Sequence, residues 1–413
     1  MELPSALFAD EGMFEGLASG GHISIKNVRM FDGQEMRVGS VDIDNGRIIS
    51  MDREVSGNGC RIDCGGSDVT LLPGLIDSHV HLYREVSLAQ SLAFGVTYLL
   101  DMFADPAHIK YLKDVVERGK REGSQLPDLL SAGFTVTCKN GHCTEYGFDV
   151  PTIEKPEDAQ QFVDSRIEEG SDYIKIIYDG GRGRFRKIRS ETLQESIKAA
   201  RRRGRLSIVH AMCLQDAKEA LAARADGLAH LFVDMKPDEE FVRMASNAGS
   251  FVVPTMTVLA SLCGMKVHDT GRMQWREYIS CEDKQFDPMG APSHLKLYSN
   301  AEETVKRLVD AKVPILAGTD ALNDGTWYGV SLHKELELLV KAGMKPVDAL
   351  ASATSLPADI FRLGSMGRIK EGMNADLLLV RGDPSRNITA TQDILLVMKG
   401  GKAVDRKRLA KIR

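Results

Sequence analysis

Residues 73–81 read Pro-Gly-Leu-Ile-Asp-Ser-His-Val-His. The Pro-Gly pair marks a turn, and the apolar residues after it open a short strand. Side chains two apart on a strand share a face, so His79 and His81 point the same way. Two neutral imidazoles on one face begin a nitrogen-rich site of the kind that suits a zinc-like ion.

Seven more short apolar runs follow: GVTYLLDM (95–102), LLSAGFTV (129–136), DYIKIIYD (172–179), LSIVHAM (206–212), GLAHLF (227–232), FVVPTMTV (251–258) and VPILAGTDA (313–321). Longer amphipathic segments separate them, among them PAHIKYLKDVVERGKREG and PEDAQQFVDSRIEEG, and several open after Asp or Pro as helices do. The alternation predicts βα units of the α/β class. Eight such units close naturally into a (β/α)8 TIM barrel of about 250 residues. The longest gap, before the eighth run, spans roughly 262–300 and is a candidate lid. Residues 22–72 and 367–405 differ, with short alternating runs and Asp-Gly, Asn-Gly and Gly-Gly turns that predict β structure near both ends.

Barrels of this type carry their reacting groups at the C-terminal ends of the strands. Those ends hold His79, His81, Lys175, His210, His230 and Asp320. Each alone has an ordinary explanation: a hydrogen-bonded core histidine, a strand-edge lysine, an aspartate capping a helix. Four of the ten histidines falling at candidate strand ends is harder to ascribe to packing.

The bulk properties narrow the function classes. With 43% hydrophobic and 27% charged residues the chain has the make-up of a soluble globular protein. A formal net charge of −5 argues against a general nucleic-acid or anionic-membrane partner. Seven scattered cysteines do not form a disulfide framework and point to a reducing compartment. Glu2, Asp10, Glu11 and Glu15 oppose the charge pattern of a secretory signal, and no apolar stretch reaches membrane-spanning length. The expectation is a cytoplasmic enzyme acting on a small molecule, with room for a homo-oligomer. The run Arg201, Arg202, Arg203 and Arg205 reads as a solvated helix end.

The motifs also carry a resemblance. Pro73 to His81, Gly95-Val96-Thr97, Tyr173-Ile174-Lys175-Ile176, Val209-His210-Ala211, Gly227-Leu228-Ala229-His230, Ala317-Gly318-Thr319-Asp320 and the tail around Gly367-Arg368-Ile369 together resemble the amidohydrolase superfamily of metal-dependent hydrolases, most nearly its imidazolonepropionase-like and prolidase-like branch. The resemblance implies a barrel over 73–365 and a small β-sandwich built from both termini, 1–72 and 366–413. It implies two divalent ions, with zinc the first choice. His79, His81 and Asp320 would hold one, His210 and His230 the other, and a CO2-derived carbamate on Lys175 would bridge them. A metal-bridging hydroxide would attack the carbonyl, with Asp320 as general base and then acid.

For the substrate, His142 in the loop after the third run is a candidate to polarise the scissile carbonyl. Tyr178, Arg182 and Arg184 after the fourth are candidates to grip a carboxylate. Cys138 and Cys143 flank that first loop without a zinc-type spacing. The first reading is a peptidase-like amidohydrolase cleaving the C–N bond of a dipeptide or N-acyl amino acid. A hydrolytic deaminase or cyclic-amide hydrolase acting on a heterocycle is the alternative. A catalytically silent scaffold is the third.

Overall fold

The computed structural model describes residues 16–18, 20–53, 59–65, 68–268 and 290–409, apart from the side chains at 182 and 292. The Asp-Gly and Asn-Gly turns near the start separate β1 (Ile23–Phe31), β2 (Met36–Asp44) and β3 (Arg47–Met51), followed by β4 (Cys60–Asp63) and β5 (Val69–Pro73). Seven short strands come next: β6 (Leu75–Val80), β7 (Val96–Asp101), β8 (Asp128–Ser131), β9 (Ile174–Ile177), β10 (Ser207–His210), β11 (Gly227–Ala229) and β12 (Phe251–Val253). The chain ends with β13 (Leu377–Arg381), β14 (Ile394–Lys399) and β15 (Lys402–Ala403).

Strands from both ends of the chain share one sheet, in the order β15-β14-β13-β5-β1-β2-β3. Its pairing forks at β1, which takes β4 along Ile23–Lys26 and β5 at Arg29 and Met30. An apolar cluster that includes Ile25, Val41, Ile62, Leu71 and Leu379 packs against it.

The middle of the chain forms two parallel sheets, β6-β7-β8 and β12-β11-β10-β9. Isolated parallel bridges connect them. Val136 pairs with Ile176, Ile315 with Val252, and Ala321 with Val80. The eighth run, 313–321, therefore touches both β12 and β6 without becoming a regular strand. Its backbone explains why: Asp320 sits at φ 58, a left-handed conformation that a pleated strand cannot continue. Gly133 at φ 60 likewise ends the third run early, before Val136 regains the ladder.

The helices between strands follow their sequence signals. Pro106–Glu122 starts on Asp105, whose carboxylate accepts the Ala107 amide at 2.7 Å, and stops at Gly123 with φ 80. The run PEDAQQFVDSRIEEG yields a 3-10 turn, Pro156–Asp158, and then the helix Ala159–Glu168. No helix among the described residues is long and apolar enough to cross a membrane. Most of the candidate lid, 269–289, lies outside the described residues.

Candidate metal centre

Asp77 organises the start of the site. It is fully buried, and its Oδ1 accepts the amides of His79 at 3.2 Å and Thr319 at 3.0 Å. Its Oδ2 accepts the Thr319 hydroxyl at 2.7 Å. This clasp lays segment 317–320 along β6. The approach is close enough to demand glycine at 318, where a Cβ would lie 2.8 Å from the His79 amide nitrogen. Burial pushes the Asp77 carboxyl up to about 7, against the pull of these three donors.

Four residues around the site adopt left-handed backbone without being glycine: Cys143 (φ 79), His230 (φ 70), Thr255 (φ 51) and Asp320 (φ 58). Such conformations cost about 1–3 kcal/mol each and persist where the surroundings over-determine them. Here they accompany side chains that converge. His79 Nε2 is 3.2 Å from Asp320 Oδ1, His81 Nε2 is 2.9 Å from the same oxygen, and His230 Nδ1 is 3.9 Å from Asp320 Oδ2. The His230 ring centre lies 4.7 Å from that of His79 and 4.5 Å from that of His210. One donor atom from each of His79, His230 and Asp320 fits within 4.8 Å of the others, so these three residues are close enough to hold a metal ion. Lys175 and His210 line the same cavity as His81, His230 and Asp320.

The electrostatics favour ligation over ion pairing. Burial, helped by the positive charge of Lys175, lowers His79 to about 3. Burial lowers His210 to about 4, against the opposing Asp179 at 3.4 Å. It also drives His230 well below the usual imidazole range, with His210 adding to the effect. These rings are neutral at pH 7, the state that binds metal. Burial opposes the Asp320 carboxylate, but the imidazoles of His79 and His230 hold it well below the usual range. Burial alone would lower His81, yet the Asp320 contact raises it.

Four donor atoms decide whether a metal fits. Nδ1 of His79 is buried without a partner, and His79 Nε2, His210 Nε2 and Asp320 Oδ1 reach opposite groups only at ion-pair distances of 2.9–3.4 Å, without hydrogen-bond geometry. Leaving a buried polar group unmade costs about 1–3 kcal/mol, so four at one place call for a ligand. Lys175 is buried too, and no carboxylate among the described residues forms an ion pair with it. Burial lowers its ammonium to about 8.

The cavity above these groups has a volume of about 440 Å³, within the span of small-molecule sites. His142 and Arg184 line it. The His142 ring centre is 5.2 Å from that of His210, and its Nδ1 lies 2.7 Å from Glu145 Oε1. Arg184 stacks on Phe185 at 5.2 Å. The structure does not bring Tyr178 to this cavity. Its hydroxyl donates to Glu219, and Lys187 sits 4.4 Å above its ring. The side chain of Arg182 lies outside the described residues. Cys138 and Cys143 are unpaired and buried, and only Cys143 reaches the cavity wall.

Sequence reasoning passed over several groups that shape the site. Asp101 accepts the Leu82 amide at 2.9 Å just beyond His81, Asp179 approaches His210, and the Thr255 hydroxyl lies 2.8 Å from His230 Nδ1. Asp101 and Asp179 do end candidate strands in LLD and IYD, a signal that could have marked them.

The family model described as "Amidohydrolase family" matches residues 70–404. An imidazolonepropionase from Anaeromyxobacter sp. (strain K) is 24% identical in an alignment of length 406 that covers 87% of this chain and 87% of that one. Among solved structures, a Xaa-Pro dipeptidase with bound methionine superimposes with a TM-score of 0.74 at 24% identity, covering 93% of this chain and 100% of that one. Molinate hydrolase superimposes with a TM-score of 0.73 at 19% identity, covering 94% and 95%.

Proposed function

Because this chain belongs to the amidohydrolase family and is a hydrolase of carbon–nitrogen bonds, we propose that it cleaves the amide of a dipeptide or N-acyl amino acid at a binuclear metal site. In this reading the two bridged parallel sheets form one (β/α)8 barrel over 73–365. Residues 1–72 and 366–413 form the small β-sandwich. His79, His81 and Asp320 would hold one divalent ion, and His210 and His230 the other, with zinc the first choice because its ligands would be neutral nitrogen and carboxylate. Lys175, as a carbamate, would supply anionic oxygen ligands to them. The single observation that carries the proposal is the set of buried donor atoms without hydrogen bonds at the cavity floor. A buried lysine with no ion pair among the described residues strengthens it, since a carbamate exchanges an unfavourable buried cation for an anion between cations.

When bound, two divalent ions supply a water of lowered pKa and polarise the scissile carbonyl. The chain's own residues do the rest. Asp320, held as a carboxylate, accepts the proton released as the water oxygen bonds to the acyl carbon. It delivers that proton to the amine as the C–N bond breaks. Glu145 accepts a hydrogen bond from Nδ1–H of His142, and in the imidazolium form the opposite Nε2–H donates to a substrate oxygen. Arg184 receives the substrate carboxylate, with Arg182 its companion in sequence, whereas Tyr178 is left out of the contact set because Glu219 holds it. Met212, Val258, Leu262 and Leu322 form an apolar wall that excludes water. The unpaired described cysteines support a cytoplasmic setting.

The test is elemental analysis followed by a hydrolysis screen of dipeptides and N-acyl amino acids on metal-loaded protein. Two ions per chain and release of a free amino acid are expected. Ammonia released from a heterocycle, with no amide cleaved, would overturn the substrate reading in favour of a deaminase.

A further inference from the structure

The helix Met256–Leu262 begins directly after left-handed Thr255, and its own cap residue offers no side-chain hydrogen bond. The first amides of a helix need partners from elsewhere. Here they come from a distant helix, Val330–Lys341. Met256 N donates to Glu335 Oε1 and Thr257 N to Glu335 Oε2, each at 2.8 Å, and the Thr257 hydroxyl donates to Oε2 as well. Glu335 is fully buried, and no cation forms an ion pair with it among the described residues. The arrangement therefore depends on those three donors and on the positive end of the helix they begin. Next to this clamp, the Thr255 hydroxyl lies 2.8 Å from His230 Nδ1, and the His230 amide is tied to Val253 O at 2.9 Å.

From this geometry we infer that Glu335 and Thr255 are positioning residues for His230. Glu335 locks the left-handed turn, and the Thr255 oxygen accepts the Nδ1–H of His230, which keeps the Nε2 lone pair free for a metal ion. The inference rests on reading His230 as a ligand. An imidazole binds metal through one nitrogen only when the other holds the proton, so whatever fixes the tautomer tunes the site. Glu335→Gln places an amide NH2 opposite a backbone N–H and loosens the turn. Thr255→Val removes the acceptor and keeps the side-chain shape.

The experiment reads the tautomer in metal-free protein at neutral pH, using 15N-histidine labelling with the His230 signals assigned by loss in His230→Gln. Wild type and Thr255→Ser should show a protonated Nδ1 and an unprotonated Nε2. Thr255→Val and Glu335→Gln should show averaged or reversed shifts. The same two variants should bind the weaker of two zinc ions at least tenfold less tightly by chelator competition. Leu336→Ala, a packing change on the same helix, should lower Tm and leave both readouts unchanged. Wild-type shifts in both Thr255→Val and Glu335→Gln would overturn the inference. If Glu335→Gln fails to fold, the Thr255 pair decides alone. Altered shifts in a protein that takes up no zinc would uphold the positioning role and defeat the metal reading.

Discussion

Two buried lysines are treated in opposite ways. Lys399, where the mixed β-sheet meets the parallel strands, has Asp128 Oδ2 and Asp376 Oδ2 each at 2.6 Å from its ammonium. Asp376 also accepts the Gly400 amide at 2.7 Å. Burial would lower this lysine, but the two carboxylates outweigh it and raise its pKa. Lys175, in the wall of the cavity, has no such partner among the described residues, and burial lowers it to about 8. A buried charge is tolerated when paired and is expensive when alone. Lys399 therefore reads as a structural fastener between strands from distant parts of the chain. Lys175 reads as a residue kept at a cost for what it does.

Lys175→Ala should give the largest effect. Turnover should be lost and metal content should fall, while the fold holds because the amine lines the cavity and forms no ion pair among the described residues. A short added carboxylic acid should restore part of the rate. Full activity in the unrescued variant, measured at matched metal loading, would break the contrast.

Asp320→Asn keeps the shape and removes the proton acceptor. A drop in kcat of about 10²- to 10⁴-fold is expected, with unchanged Tm. Turnover within a few-fold of wild type would remove Asp320 from proton transfer.

Lys399→Met should show the reverse pattern. It leaves Asp376 without its cation, and Asp128 keeps Lys120 at 2.7 Å. Unfolding in urea should report a loss of about 3 kcal/mol, the lower end for a broken buried pair, with kcat unchanged. The sign with pH follows from the raised pKa of Lys399. Its stabilisation is fully present below the unfolded lysine pKa and disappears as pH rises through the higher folded one. Alkaline titration of stability should thus decline in wild type and stay flatter in the variant. A loss of activity comparable to that of Lys175→Ala would show that the two lysines are not functionally distinct.

The smallest effect concerns the substrate. Amidating the substrate carboxylate should lower kcat/KM about tenfold or more, and Arg184→Met should erase that preference, as a charge-assisted hydrogen bond of about 1.5–3 kcal/mol implies. Equal rates on acid and amide would move the assignment toward a neutral cyclic amide.

Much of this was readable in advance. The runs 74–82, 95–102, 172–179, 206–212, 227–232 and 251–258 each contain an observed strand, because period-two alternation and flanking turn residues are local properties. The eighth run was legible as apolar but not as irregular, since the left-handed Asp320 is imposed by its contacts with β6 and not by its own composition. Tyr178 read as a cavity residue from its place after β9, yet Glu219 on the following helix holds its hydroxyl elsewhere. Nothing in the strand pattern announces such a competitor.

The sequence by itself determined the order of βα units and placed imidazole, amine and carboxylate groups at the ends of parallel runs. It did so because side-chain direction along a strand follows from the covalent chain. Only the tertiary structure decided which of those groups meet, that Lys175 forms no ion pair among the described residues while Lys399 forms two, and that Glu335 supports the turn beneath His230. Those outcomes depend on bridges and hydrogen bonds between residues far apart in the chain. Local periodicity carries no information about the partner at the other end.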